Sequence, residues 1–97
     1  MANYVCLIQF QDQGIRNIQD TVKRGDAAIA EAKKMGMKIV EEYWTMGAYD
    51  AVVIIEAPDD ETMSALMLKV GSLDNVKGQT LRAFRRNEME AILAKIK

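Results

Sequence analysis

The sequence predicts an α+β fold, a ferredoxin-like βαββαβ sandwich with one extra helix at its C-terminal end and a four-stranded antiparallel sheet. Three observations carry that reading. Stretches whose apolar residues alternate with period two are separated by stretches of helical period. Gly36, Pro58 and Gly71 fall between them as stop signals. The 97 residues leave room for one domain, residues 1–97, with no linker, internal repeat or low-complexity segment.

Residues 3–10, NYVCLIQF, form the first strand. Tyr4, Cys6, Ile8 and Phe10 share one face; Val5, Leu7 and Gln9 share the other. QDQGIRN is a polar connection. A helix then runs from about Asp20 to Met35, with Val22, Ile29 and Ala32 on one side and Gly36 at its stop. Gly25 inside it costs about 1 kcal/mol against alanine, so it marks close packing or a late helix start. Residues 37–46 and 49–57 are the second and third strands, joined by a two-residue turn at Gly47-Ala48. Pro58 ends the third. Asp59, Asp60 and Glu61 open the next helix, where negative charge suits the N-terminal dipole, and Met63, Leu66, Met67 and Val70 form its stripe. Residues 76–86 are the fourth strand. Asn87 with Glu90 is a capping-box-like start for the last helix, whose stripe is Met89, Ile92, Leu93 and Ile96.

Composition removes several functions. With 13 basic and 14 acidic residues the net charge is −1, so no basic excess drives nucleic-acid binding. No apolar run approaches the ~20 residues of a membrane span, and the N-terminus has no signal-peptide pattern. Cys6 is the only cysteine and cannot form an intrachain disulfide; it reads as an inert core thiol in a cytoplasmic protein. There is no histidine, which excludes serine–histidine and cysteine–histidine nucleophile pairs and histidine-bound zinc or haem. No metal or other cofactor is expected. Any catalysis must use carboxylates, Tyr, Arg, Lys, Cys6 or the backbone.

Two helices cover only one face of a four-stranded sheet. The other face should then be polar in a lone chain, yet Val52 and Ile54 sit beside Asp50 and Glu56, and Val5 and Leu7 beside Gln9; strand four adds Thr80, Arg82 and Phe84. Such a face marks an interaction surface. Either a second copy packs on it by two-fold symmetry, enclosing a cavity with apolar and ionisable walls, or the C-terminal helix folds over it.

The stretch WTMGAYDAVVIIEAPDD, residues 44–60, is similar to the signature of the GYD family through Gly47, Tyr49 and Asp50. QDQGIRNI, 11–18, resembles that family's early loop, and NVKGQTLRAF, 75–84, its last strand. The departures are Asp74, where a glycine is usual, and Gly25, where a side chain is usual. The resemblance implies a domain of the dimeric α/β-barrel type. It supplies no activity: distant structural relatives include cofactor-free monooxygenases, haem enzymes, isomerases and ligand-sensing domains.

Two functions follow. In the first, a homo-oligomer binds a small molecule between packed sheets, as an isomerase or cofactor-independent oxygenase. Asp50 or Glu56 acts as base, since an acid in an apolar cavity has its pKa raised. Arg82 anchors an anion, and Tyr43, Trp44, Tyr49 and Gln9 line the site. In the second, the chain is a non-catalytic interaction or regulatory module, and Asp50 pairs with Arg82 or caps the hairpin.

Overall fold

The computed structural model describes residues 1–96. Its order is β1 (Ala2–Phe10), α1 (Asp12–Arg16), α2 (Thr21–Lys34), β2 (Lys38–Trp44), β3 (Ala51–Ala57), α3 (Asp60–Gly71), β4 (Val76–Ala83) and α4 (Arg86–Leu93), with a 3-10 turn at Ile18–Asp20. The strands form one antiparallel sheet in the order β2-β3-β1-β4, the ferredoxin-like arrangement.

Helices α2 and α3 cover one side of the sheet, and the core lies between. Tyr4, Cys6, Ile8, Ala51, Ile55 and Ala57 point into it from β1 and β3; Ala32, Met37, Met63 and Leu66 meet them. Met63 and Cys6 are the largest side chains wholly cut off from water. Burial raises the Cys6 thiol pKa, which keeps it in the unreactive thiol form.

Several boundaries differ from the sequence reading. The polar connection after β1 contains the short helix α1, whose Gly14 is buried so close to the Asn75 backbone that a Cβ there would lie 2.1 Å from the Asn75 carbonyl oxygen. β2 stops at Trp44 and β3 begins at Ala51, so residues 45–50 form a loop, not a two-residue turn. β4 ends at Ala83. The last helix is capped two residues earlier than Asn87: Arg85 is the N-cap, and the Glu88 carboxylate accepts its backbone N–H at 2.9 Å. Glu88 also accepts from Asn3 Nδ2 at 3.2 Å, tying α4 to β1.

α4 does not fold over the open side of the sheet. It stands off the end of β4, and its stripe residues Met89, Leu93 and Ile96 are exposed. The molecule is accordingly long and thin, 52 × 31 × 19 Å. Among the described residues no helix is long and apolar enough to cross a membrane.

Candidate functional site

The register fixes what the uncovered side of the sheet presents. Leu7 stands opposite Val52, and Val5 stands between Ile54 and Leu81. Tyr43 pairs with Val52 and extends the same side onto β2. An apolar band thus crosses all four strands. Its outer members, Tyr43 at 53% and Leu81 at 47%, are half exposed. Isolated surface hydrophobics are ordinary; a continuous band of them is a candidate contact surface. Lys38, Glu41, Glu56 and Lys77 border it with charges of both signs.

Asp50, Gln9 and Glu56, the polar candidates of this face, are already engaged within the chain. Asp50 Oδ2 accepts the Phe10 N–H at 2.8 Å. The Asp50 N–H donates to Ile8 O at 2.8 Å, and its carbonyl accepts the Thr45 N–H at 2.9 Å. The residue therefore carries the pairing of β1 and β3 one step past the last ladder pair, Ile8 with Ala51. Gln9 Nε2 donates to the Ala48 carbonyl at 3.0 Å, holding the 45–50 loop against β1. Glu56 Oε1 lies 3.3 Å from Arg85 Nη2.

Alternation along the third strand places Tyr49 on the helix side. Instead its hydroxyl donates to Gln79 Oε1 at 3.1 Å, and Gln79 pairs with Leu7 on the open side. Alternation fails there because Tyr49 precedes the start of β3. Its ring spans β1, which separates β3 from β4. Gly47 lies at φ +106°, a region that glycine enters without a Cβ clash, and it reverses the loop.

Arg82 is not part of this group. It pairs with Tyr4, so β4 turns it, with Thr80, toward the helix side. Its guanidinium stands 5.6 Å from the Tyr4 ring centre and 4.6 Å from that of Phe84. It donates to the backbone oxygens of Asn3 and Ala83 and lies 3.9 Å from Glu88. The acid–acid–arginine set of Asp50, Glu56 and Arg82 is therefore split between the two sides of the sheet, and Thr80 and Phe84 do not belong to the open face. Trp44 also faces the helices, where its Nε1 donates to Thr21 Oγ1 at 3.1 Å. Of the aromatic candidates, Tyr43 and Tyr49 are on the open side and Trp44 is not.

The sequence matches the GYD domain over residues 4–93. The chain belongs to the GYD family. A curated relative from Thermus thermophilus, named glutamine synthetase and cystathionine beta-lyase binding protein, is 30% identical over 84 residues, spanning 86% of this chain and 88% of the relative. A crystal structure of a Thermus thermophilus protein superposes with a TM-score of 0.62 at 28% identity, covering 88% of this chain and 95% of that one. A second crystal structure, of an FFRP protein, superposes with a TM-score of 0.60 at 16% identity, covering 87% of this chain and 100% of the other, a likeness of fold. Each residue of the GYD signature has a visible task in the fold. Gly47 turns the loop, Tyr49 ties it to β4, and Asp50 completes the β1–β3 pairing.

Sequence reasoning passes over Glu42, and it takes Arg85 only as one of a solvated basic run with Arg82, Arg86 and Lys77. Arg85 is the partner of Glu56, placed by the early end of β4. Glu42 lies on the helix side with Trp44, because the register shifts between Ile39 and Glu41. That bulge at Val40 lets Ile39 and Glu42 share a side that strict alternation would divide. Gly25 was the available signal: a Cβ there would lie 2.9 Å from Glu42 Oε2.

Proposed function

We propose that this GYD protein is a non-catalytic interaction module. Its open sheet face pairs two copies of the chain, and the assembly binds other proteins. The observation that carries this reading is that the two acids that could act as base, Asp50 and Glu56, are engaged within the chain. A general base between packed sheets needs an unpaired carboxylate, whereas Asp50 is bound by the Phe10 N–H and Glu56 by Arg85. The band between them is apolar, and its rim carries both signs, so an isologous pairing can set lysines against glutamates. The relative named for binding glutamine synthetase and cystathionine beta-lyase supports enzymes as the partner class.

Two measurements test the two halves. Sedimentation at low micromolar concentration should give the mass of two chains or more; the mass of a single chain would remove the self-pairing. Calorimetric titration into purified glutamine synthetase and cystathionine beta-lyase of the same cell should give a saturable heat with at least one of them. No heat with either removes enzymes of the relative's kind as partners.

A further inference from the structure

On the helix side, at the end of the sheet where β1 finishes, the two layers do not close. Helix α2 lines this end with the small residues Gly25, Ala27 and Ala28, and β3 meets them with Ala51. Between them is a cavity of about 300 Å³, partly open to solvent and walled by Phe10 and Trp44. Packed interiors leave few voids larger than a water molecule. A space of this size with mostly apolar walls and a few polar groups has the form of a small-molecule site.

The charges around it decide what fits. Arg24 has no carboxylate partner among the described residues, but its guanidinium is turned to backbone oxygens, donating to Asn17 O at 2.8 Å and Gly14 O at 3.2 Å. Lys69 and Glu31 form their own pair at 2.6 Å. Glu42 is different. Among the described residues none of the ion pairs includes it, and its carboxylate packs against the bare backbone of Gly25, where a Cβ would lie 2.9 Å from Oε2, at the edge of the cavity. Desolvation, reinforced by Asp26, raises its pKa, as befits an acid that lacks a counterion. The Trp44 ring is held by its bond to Thr21, so it offers a fixed aromatic face close to that acid.

We propose that the cleft between α2, α3 and the sheet binds a small organic amine, its ammonium group on the Glu42 carboxylate and its apolar body between Trp44 and Phe10. The ammonium supplies the missing counterion and gains from the indole face. An anion would meet an uncompensated carboxylate, and a neutral ligand would leave that acid unpaired in a drier site. The site lies on the opposite side of the sheet from the open face and does not depend on the protein-binding reading.

Trp44 is the only tryptophan in the chain, so its emission reports on this cleft directly. The probe is phenethylamine, with 2-phenylethanol and 3-phenylpropionate as matched neutral and anionic controls, near neutral pH. The expected result is a saturable change in Trp44 emission with the amine. It should be about tenfold weaker with the alcohol, the effect of one charge-assisted bond, and absent with the carboxylate. Glu42→Gln keeps the shape and should lower amine affinity about tenfold. Ala28→Leu fills the space from α2 and should abolish the response, with circular dichroism checking the fold. No saturation with the amine up to roughly 10 mM, beyond which affinity is negligible, overturns the proposal. So does equal binding of the carboxylate, or full affinity in Glu42→Gln.

Discussion

Asp50 shows how one residue can be marked by the sequence and still be misread in its partner. An acid directly after a loop, ahead of an apolar strand, reads as an ion-pair or capping group. The ion pair with Arg82 is excluded by the β1–β4 register, which sets Arg82 beside Tyr4. The cap is what forms, on the Phe10 N–H. Asp50→Ala should therefore destabilise the protein by about 1–3 kcal/mol in urea melts, since a charge-assisted bond is lost and a strand-end N–H is left unpaired. Asp50→Asn, whose amide oxygen can still accept, should cost less. Equal stability of Asp50→Ala and wild type would contradict the assignment. A second residue-scale prediction concerns Tyr4. Burial, with the hydrogen bond to Asp60, pushes its pKa from 10.0 up to about 12. Because the folded value is the higher, its contribution to stability is whole below pH 10 and is lost as pH rises through about 12. An absorbance titration should show one tyrosine ionising near pH 12, and that component should vanish in Tyr4→Phe.

Among the elements, long periodic segments were legible and short or irregular ones were not. α2, α3 and the strands announce themselves because their apolar period extends over several turns or pleats. α1 has only five residues and no apolar stripe, so it read as connection. The Val40 bulge is invisible to alternation and moved Glu42 to the helix side. Asp74 is the instructive middle case. It departs from the family's glycine, and the structure finds it at φ +63°, in the turn between α3 and β4. Aspartate tolerates the left-handed region better than most residues, but still at a cost. Asp74→Gly should therefore raise stability by up to about 1 kcal/mol, or several degrees in Tm for a domain of this size. A thermal melt that falls on this substitution would mean the aspartate side chain compensates for its backbone. At the start of α4, the Arg85 N–H and the neighbouring arginines hold the Glu88 carboxyl below its usual pKa. A lowered value means support present above the unfolded pKa and withdrawn as pH falls through the folded one. Hydrogen-exchange protection over 86–93, corrected for the slower intrinsic exchange in acid, should fall as pH is lowered while that of the β1–β3 ladder does not.

For the whole molecule, the sequence made visible that one side of the sheet was left uncovered, and left open what covers it. A single chain leaves both the Tyr43–Leu81 band and the α4 stripe exposed. Self-association through the open face predicts a clean separation between fold and assembly. Ile54 lies in the middle of the band, opposite Glu41 on β2 and Val5 on β1, and only partly buried. Ile54→Glu should therefore leave the core of Tyr4, Ile55 and Met63 in place, with circular dichroism unchanged. Across a two-fold axis it would bring two new carboxylates into a dry contact, where unpaired charges cost several kcal/mol each. That is enough to carry a micromolar dimer into the millimolar range, since each 1.4 kcal/mol is about tenfold in affinity. Sedimentation of folded Ile54→Glu should give one chain. Should it sediment as an assembly like wild type, the open face is not the seam. Leu93→Glu on α4 serves as the contrast, since it alters an exposed apolar residue outside the band and should leave the mass unchanged.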